Sequence, residues 1–485
     1  MTLRSFTFLV LISVSARFIH FGELLDSPHT WRQADTAHYI YDYYVNGIDL
    51  LRPKVCWLGN YGTLLLEFPI LEAIVAQAYI LFGESHVVAR SIFYFIFLGS
   101  ALYFYRLVEL LFSREIARYS VLFFLSAPLS LAYSRAIHVD FGVMFFSIGM
   151  AYHFIRAYTR QETVHLFFGS ILATFAFLIK APYILIFAGP LVYSIYRYRN
   201  WKFFTTTILI PVIPVVIFLF WNNWVNRVNS SAPEWQFILG YRKFIFSDSL
   251  HWYFGSLEQR LDIMNWIKIG YRILTEIFVI VGLPIAIYGM YKSSSDERRC
   301  IIIWMIGCLI YLAIFFNLNV VHNYYQIPFV APISLIVGLG LKYLSKLSSK
   351  PHHLSFLAIS IYLVCSLIYA ENNYYKINWL QQEISSRIME ETRSDDLVIV
   401  NHGNLDSKYP EYLYGARRTG WQLISYGIES TMLDKLINEG ADYFCSIRIE
   451  DWQGEFGEYL DKFQSEIFDL RHSKEKLYIY NLRCK

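Results

Sequence analysis

Along most of this chain the apolar residues come in long runs, neither alternating as in a strand nor striped as on a surface helix. Crossing roughly 30 Å of hydrocarbon takes about 20 residues, with a lower limit near 17. By that measure spans fall near 4–22, 87–112, 116–134, 140–158, 164–180, 183–197, 203–221, 272–292, 300–317, 325–343 and 354–370, eleven in all. The run at 183–197 is short, and Pro182 and Pro190 predict a tilted or broken helix there. Residues 69–82 are too few to cross and carry Glu72 and Gln77. Their apolar positions Ile70, Leu71, Ile74, Val75, Ala78, Leu81 and Phe82 recur at helical spacing, which predicts an amphipathic helix lying in the interface.

After Tyr369 the period changes. A polar helical stretch at 376–392 leads to the strand-like Leu397-Val398-Ile399-Val400, a helix at 431–439 closed by Gly440, a strand at 442–447, a helix at 456–466 and a strand at 477–482. Strands alternating with helices predict a small α/β domain with its own core. The expected fold class is therefore an all-α polytopic membrane protein over residues 1–370, with a C-terminal α/β domain at 371–485. That domain carries no nucleotide loop, metal spacing or catalytic triad, and reads as a lid or an acceptor-docking module.

Composition supports two solvents for one chain. Hydrophobic residues make up 55% and charged residues 17%, against roughly 45–50% and about 25% in soluble proteins. A soluble enzyme, a disordered protein and a nucleic-acid binder are set aside on that ground. The 39 Phe, 38 Tyr and 12 Trp suit many membrane–water boundaries. Of the 39 Asp and Glu, 20 lie after Ala370, so the net charge of +3 averages over regions that differ.

With the N-terminus inside, the short inner loops collect 15 of the 28 basic residues before Glu371, among them Arg106, Arg114, Arg156, Arg197, Lys202, Arg298 and Lys342. This satisfies the positive-inside rule, and counting 69–82 as a span would turn most of those loops outward. Arg17 and His20 stand where a signal peptidase site should be, so the first apolar run reads as a retained span. The expected placement is a cytoplasmic (inner) membrane, multi-pass, with outer loops 23–86 and 222–271 and the C-terminal domain on the extracytoplasmic side. Cys300, Cys308 and Cys365 fall within spans; Cys445 and Cys484 could pair in an oxidising compartment or stay as thiols.

Ionisable groups near a bilayer are costly unless they line a wet cavity, so each is a functional candidate. Asp35 lies on a helix of the first outer loop, expected to start with Ser27 as cap and Pro28 in the first turn, and His38 and Asp42 share its face. Glu67 precedes Pro69. Asp140 opens the fourth span after Arg135 and His138, Lys180 ends the fifth, and His322 with Asn323, Tyr324, Tyr325 and Gln326 opens the tenth. Singly, Asp140 reads as a helix N-terminal charge, Lys180 as a snorkelling side chain and His322 as an interface anchor. All at one depth on one side, they suit a hydroxyl or amine nucleophile and an anionic leaving group: a carboxylate takes the nucleophile's proton and cations neutralise a departing phosphate. Nucleotide sugars are not generally available outside the cytoplasm, so the expected donor is carried by a lipid.

The run Thr30-Trp31-Arg32-Gln33-Ala34-Asp35-Thr36-Ala37, then Glu67-Phe68-Pro69, Phe82-Gly83 and Arg90-Ser91, resembles the first outer loop of the GT-C glycosyltransferases, in the branch of the aminoarabinose transferase and protein O-mannosyltransferases. Further matches are Ser134-Arg135 through Val139-Asp140, Ile179-Lys180-Ala181-Pro182 and His322-Asn323-Tyr324-Tyr325-Gln326-Ile327-Pro328, so the resemblance spans about residues 25–345. It implies a polyprenyl-phosphate-linked sugar donor, an inverting transfer, and Asp35, Asp140 and Glu67 as catalytic acids. Lys180, Arg135, Arg32 and His322 would bind the donor phosphate, and His38, Tyr324, Tyr325 and Gln326 the substrate. The chain departs from the aminoarabinose-transferase pattern at His38, where that branch has Arg, and at Phe68, where it has Lys.

The expected function is thus sugar transfer to a lipid, glycan or protein acceptor on the outer face, with the lipid bilayer as partner and no nucleic acid. Two carboxylates on one face leave room for a divalent metal, but they lie in separate loops without a compact ligand motif, so no metal ligand is assigned. The rivals are a polysaccharide ligase or polymerase using a diphosphate-linked donor, and a transporter or lipid flippase. The transporter reading is disfavoured because the chain shows no internal repeat and its ions gather at one surface.

Overall fold

The computed structural model describes residues 2–26, 29–232, 245–401, 410–423, 429–447 and 455–483. Ser27, Pro28 and Cys484 lie outside them. The chain divides into two compact units, Met1–Phe21 with Val87–Trp224 and Phe246–Tyr375, and Gly22–His86 with Val225–Ile245 and Lys376–Lys485.

The first unit is helical. Among the described residues five helical stretches are long and apolar enough to cross a membrane, His86–Leu111, Thr163–Tyr198, Trp201–Ser230, Asn323–Ser345 and Pro351–Asn373, with the pair Ile263–Phe278 and Gly282–Lys292, bent by 87°, as a sixth if it is one span. Of the remaining apolar runs, Asp140–Arg160 and Ser295–Ile314 are unbroken helices of 21 and 20 residues, and the others are shorter or interrupted. The run at 116–134 breaks between Ser126 and Pro128, because a proline ring cannot continue the hydrogen-bond ladder. The helical stretch Thr163–Tyr198 is two helices of opposite direction. Lys180, at the end of Thr163–Lys180, reaches Asp140 at the start of Asp140–Arg160, whereas Asn200, beyond Ile184–Tyr198, donates to the Tyr158 carbonyl near that helix's other end. The chain therefore reverses across the 3-10 turn Ala181–Tyr183.

The 87° bend follows a π-helical turn, Leu274–Phe278, and Val279 and Ile280 both take positive φ, an uncommon backbone state for β-branched residues. Glycines allow the closest helix contact, between Gly282–Lys292 and Val330–Ser345: a Cβ on Gly340 would stand 1.9 Å from the Ile285 carbonyl oxygen. Buried arginines tie chain ends together in this unit. Arg17, fully buried, donates to Ser134 Oγ and to the carbonyls of Ser13, Leu125 and Ser130, and Arg90 donates to those of His20 and Phe21.

The second unit contains a five-stranded sheet in the order β2-β1-β3-β5-β4, where β1 is Leu397–Asn401, β2 Thr419–Leu423, β3 Ala441–Ser446, β4 Gln464–Asp469 and β5 Lys476–Asn481. β1 runs parallel to β2 and β3, while β5 runs antiparallel to β3 and β4. Buried on both faces, β1 reads as an unbroken apolar run. Leu397, Ile399, Trp421, Leu433, Leu436 and Phe444 form the core.

Three elements here depart from the sequence reading. The expected helix at 456–466 ends at Leu460, and 464–469 is the edge strand β4. The helix Pro410–Ala416 and β2 were not expected. Segment 22–86 builds onto this sheet. Gly59 N–H donates to the Gly420 carbonyl at 2.7 Å, and Gly420 N–H to that of Cys56 at 2.9 Å. Gly59 has positive φ, and a Cβ there would lie 2.0 Å from the Trp421 ring, so only glycine fits. Helices Thr30–Asn46 and Ile70–Phe82 pack together, and Pro410–Ala416 packs on the first. Exposed Ile74, Leu81 and Phe82 give Ile70–Phe82 an apolar outer face. Cys445 is a buried free thiol.

Candidate active site

In the first unit, one end of the helical bundle gathers several of the expected side chains. Asp140 opens its helix, where the dipole favours an anion, and Lys180 closes the neighbouring one, where it favours a cation. Lys180 Nζ stands 2.9 Å from both Asp140 oxygens. Asp140 also accepts from the Tyr183 hydroxyl, and His138 Nδ1 lies 2.5 Å from its Oδ2. All of these groups are buried.

The ammonium sits 4.8 Å from the Tyr324 ring centre and 4.9 Å from that of Tyr325. Tyr324 in turn stacks on His322 at 5.0 Å and faces His138. A lysine held by one carboxylate inside an aromatic cage is a cation preorganised for an anionic ligand. Of the other expected residues in this unit, Arg135 donates to the Ile19 and His20 carbonyls and lies over the Tyr375 ring. Gln326 donates to the Asn319 carbonyl.

Beside this cluster stands a carboxylate that the sequence reading did not single out. Glu276, buried in the π-helical turn, accepts from Asn323 Nδ2 at 2.9 Å, from Tyr374 at 2.7 Å and from Tyr369 at 3.3 Å, while Tyr133 donates to Asn323 Oδ1 at 2.7 Å. The signal was available: a glutamate inside an apolar run, with Asn323 inside the quoted motif.

In the second unit, the helix Thr30–Asn46 is polar by composition, yet Arg32 through Ile40 are all buried. Ordinary polar helices lie on surfaces, so this enclosure marks a site. Its N-terminus is preceded by His29 in the left-handed region. The Trp57 indole N–H donates to Asp35 Oδ1 at 2.9 Å, and Asp35 is 4% exposed. Arg32 pairs with Glu67 and donates to Thr36 Oγ1. Thr30 donates to Glu411 Oε1 at 2.9 Å, a second carboxyl that the sequence reading passed over.

Burial holds the Glu411 carboxyl up at about 8, with the Asp35 charge adding to the effect, and it pushes the His38 imidazole down to about 4. Glu411 is therefore protonated, and His38 neutral, at pH 7. Among the described residues no group of three or more His, Cys, Asp or Glu side chains is placed to hold a metal ion.

The fold of the chain is like that of solved membrane-enzyme structures of the glycosyltransferase kind. ArnT from Cupriavidus metallidurans bound to undecaprenyl phosphate matches with a TM-score of 0.68 and 12% identity, over 98% of both chains. The archaeal oligosaccharyltransferase AglB from Archaeoglobus fulgidus, in complex with an inhibitory peptide and a dolichol-phosphate, matches at 0.59 and 11% over 97% of this chain and 74% of that one. The arabinofuranosyltransferase AftD from Mycobacteria matches at 0.57 and 11%, over 99% of this chain and 40% of that one. At such identities the likeness is one of fold. Residues 68–228 match the family model of dolichyl-phosphate-mannose-protein mannosyltransferase. No curated protein matches the chain.

Proposed function

We propose that this protein is an integral-membrane inverting glycosyltransferase that moves one sugar from a polyprenyl-phosphate carrier to an acceptor on the extracytoplasmic face. Eleven passes with the N-terminus inside, as the basic short loops favour, would put residues 23–86, 222–271 and 371–485 on that face, with 1–370 as the catalytic domain and 371–485 as the soluble one. The observation that carries the reading is the caged Lys180, paired with Asp140 and ringed by Tyr183, Tyr324 and Tyr325 at one end of an apolar bundle. A lipid phosphate arriving from the bilayer would meet a cation there. The ArnT structure with undecaprenyl phosphate and the AglB structure with dolichol-phosphate support a donor of this class.

In the proposed reaction the acceptor hydroxyl oxygen bonds to the anomeric carbon, the carbon–oxygen bond to the lipid phosphate breaks, and the hydroxyl proton passes to Asp35. Lys180 receives the phosphate charge, His322 stacks on the Tyr324 ring that faces it, and Asp140 holds Lys180 in place. Glu67 keeps Arg32 fixed on the helix that carries Asp35, and Arg135 fixes the turn before Asp140. The test is Asp35→Asn assayed with a labelled polyprenyl-phosphate sugar. Transfer should vanish while thermal unfolding and membrane insertion are retained; full activity would overturn the assignment. A labelled diphosphate-linked oligosaccharide as the only accepted donor would favour a ligase instead.

A further inference from the structure

The second unit contains a cavity of about 440 Å³ that the proposed transfer does not use, lined by His38, Asp42 and Asn46 of the helix Thr30–Asn46, by Lys54, and by Arg417 and Arg418. That volume lies within the roughly 300–1,000 Å³ of small-ligand sites. His38, Asp42 and Asn46 continue the stripe that begins with Asp35, and His38 is one turn away, about 4.5 Å along the axis. The chemistry is that of saccharide recognition. His38 is 6% exposed, borders the cavity and, among the described residues, makes no hydrogen bond with another protein group. Its uncharged ring presents one donor and one acceptor, as a sugar hydroxyl does.

The cavity's charges are unequal. Arg418 is taken up by the carbonyls of Met389, Thr392 and Ala416, and Arg417 pairs with Glu84 over the Tyr41 ring. Asp42 accepts from Asn46. Among the described residues Lys54 makes no ion pair or side-chain hydrogen bond, although its charge lies near enough to act on Asp42, so three cations line the cavity with one carboxylate.

We propose that this cavity is the acceptor subsite, and that it binds an anionic saccharide, a sugar unit bearing a carboxylate or phosphate, whose neighbouring hydroxyl is then directed along the helix toward Asp35. This rests on the glycosyltransferase reading and adds the acceptor's class. The full-length protein in nanodiscs is titrated with a glucuronate-containing tetrasaccharide, with mannose 6-phosphate, with a neutral glucose tetrasaccharide and with an acidic tetrapeptide. At least one anionic saccharide should bind in preference to the neutral one. Lys54→Glu should weaken that binding by about tenfold or more, the loss of one charge-assisted contact. Asp35→Asn should leave it unchanged, which separates this proposal from the catalytic one. Binding that Lys54→Glu does not alter, binding of the peptide alone, or no binding of either anionic saccharide overturns the proposal.

Discussion

Removing the lysine from the Asp140–Lys180 pair should cost more than removing the pair. Lys180→Met keeps the length and apolar bulk of the side chain and deletes two contacts of 2.9 Å to a carboxylate with no exposure. Breaking a buried pair by removing one partner costs about 3–5 kcal/mol, because the other charge is left uncompensated. Asp140 retains the Tyr183 hydroxyl and the His138 ring, which places the loss at the lower end, about 3 kcal/mol. That is roughly a hundredfold in the unfolding equilibrium.

Adding Asp140→Asn removes the stranded charge while keeping an acceptor for Tyr183, so the double variant should recover most of that stability. The assay is equilibrium unfolding of the three proteins in one detergent, followed in parallel with sugar transfer. Transfer should be lost in both variants, since each lacks the cation, while stability is lost only in the single one. A single variant as stable as the parent, or a double variant no better than the single, would refute the reasoning.

Glu411→Gln should stabilise the protein. Holding a carboxyl protonated at pH 7 when it would ionise near 4.5 unfolded costs about 3 kcal/mol, and glutamine removes that cost while Oε1 still accepts from Thr30; unfolding at pH 5 and pH 8 should show the gain only at the higher pH. His38 acts in the opposite sense. Its folded value of about 4 lies below the unfolded 6.5, so the unfolded state binds more protons between those limits and stability falls by up to about 3 kcal/mol as pH drops through that window. His38→Gln should flatten this acid limb in a pH series of melting curves. Gly340→Ala, which presses a methyl group into the Ile285 carbonyl, should destabilise by about 1–3 kcal/mol or more, and helix content and melting temperature measure it.

Much of the first unit was legible because spans are a one-dimensional signal. Asp140 opens one apolar run and Lys180 ends the next, so a hairpin of two passes brings them together whatever the details of packing. Tyr183 and Trp57 were not singled out, since one tyrosine among 38 carries no mark and the loop holding Trp57 has no period. The bend after the π-helical turn was also hidden: Val279 and Ile280 are apolar and β-branched, and their positive φ reflects tertiary packing rather than preference. In the second unit β1 was visible as a buried apolar run. β4 was not, because an exposed edge strand of Gln464–Asp469 has no apolar face to read. The helix Thr30–Asn46 showed its polar motif, but its near-complete enclosure came only from the fold.

The surroundings of the two aspartates argue for different tasks in the proposed reaction. A general base must gain a proton during turnover and lose it afterwards, which requires that protonation break no strong contact. Asp140 has an ammonium on both oxygens, a tyrosine hydroxyl on one and an imidazole nitrogen beside the other, so a proton there would dismantle the pair that fixes Lys180. Its value lies in staying charged. Asp35 accepts from the Trp57 indole N–H, a neutral donor that orients the carboxylate. Glu411, already protonated near neutral pH, can give up a proton but not take one. In the proposed reaction Asp35 would then be the base and Asp140 the anchor of the cation. Conservative replacement should then divide them: Asp140→Asn releases Lys180 and weakens donor binding, whereas Asp35→Asn leaves donor binding intact and stops the chemistry.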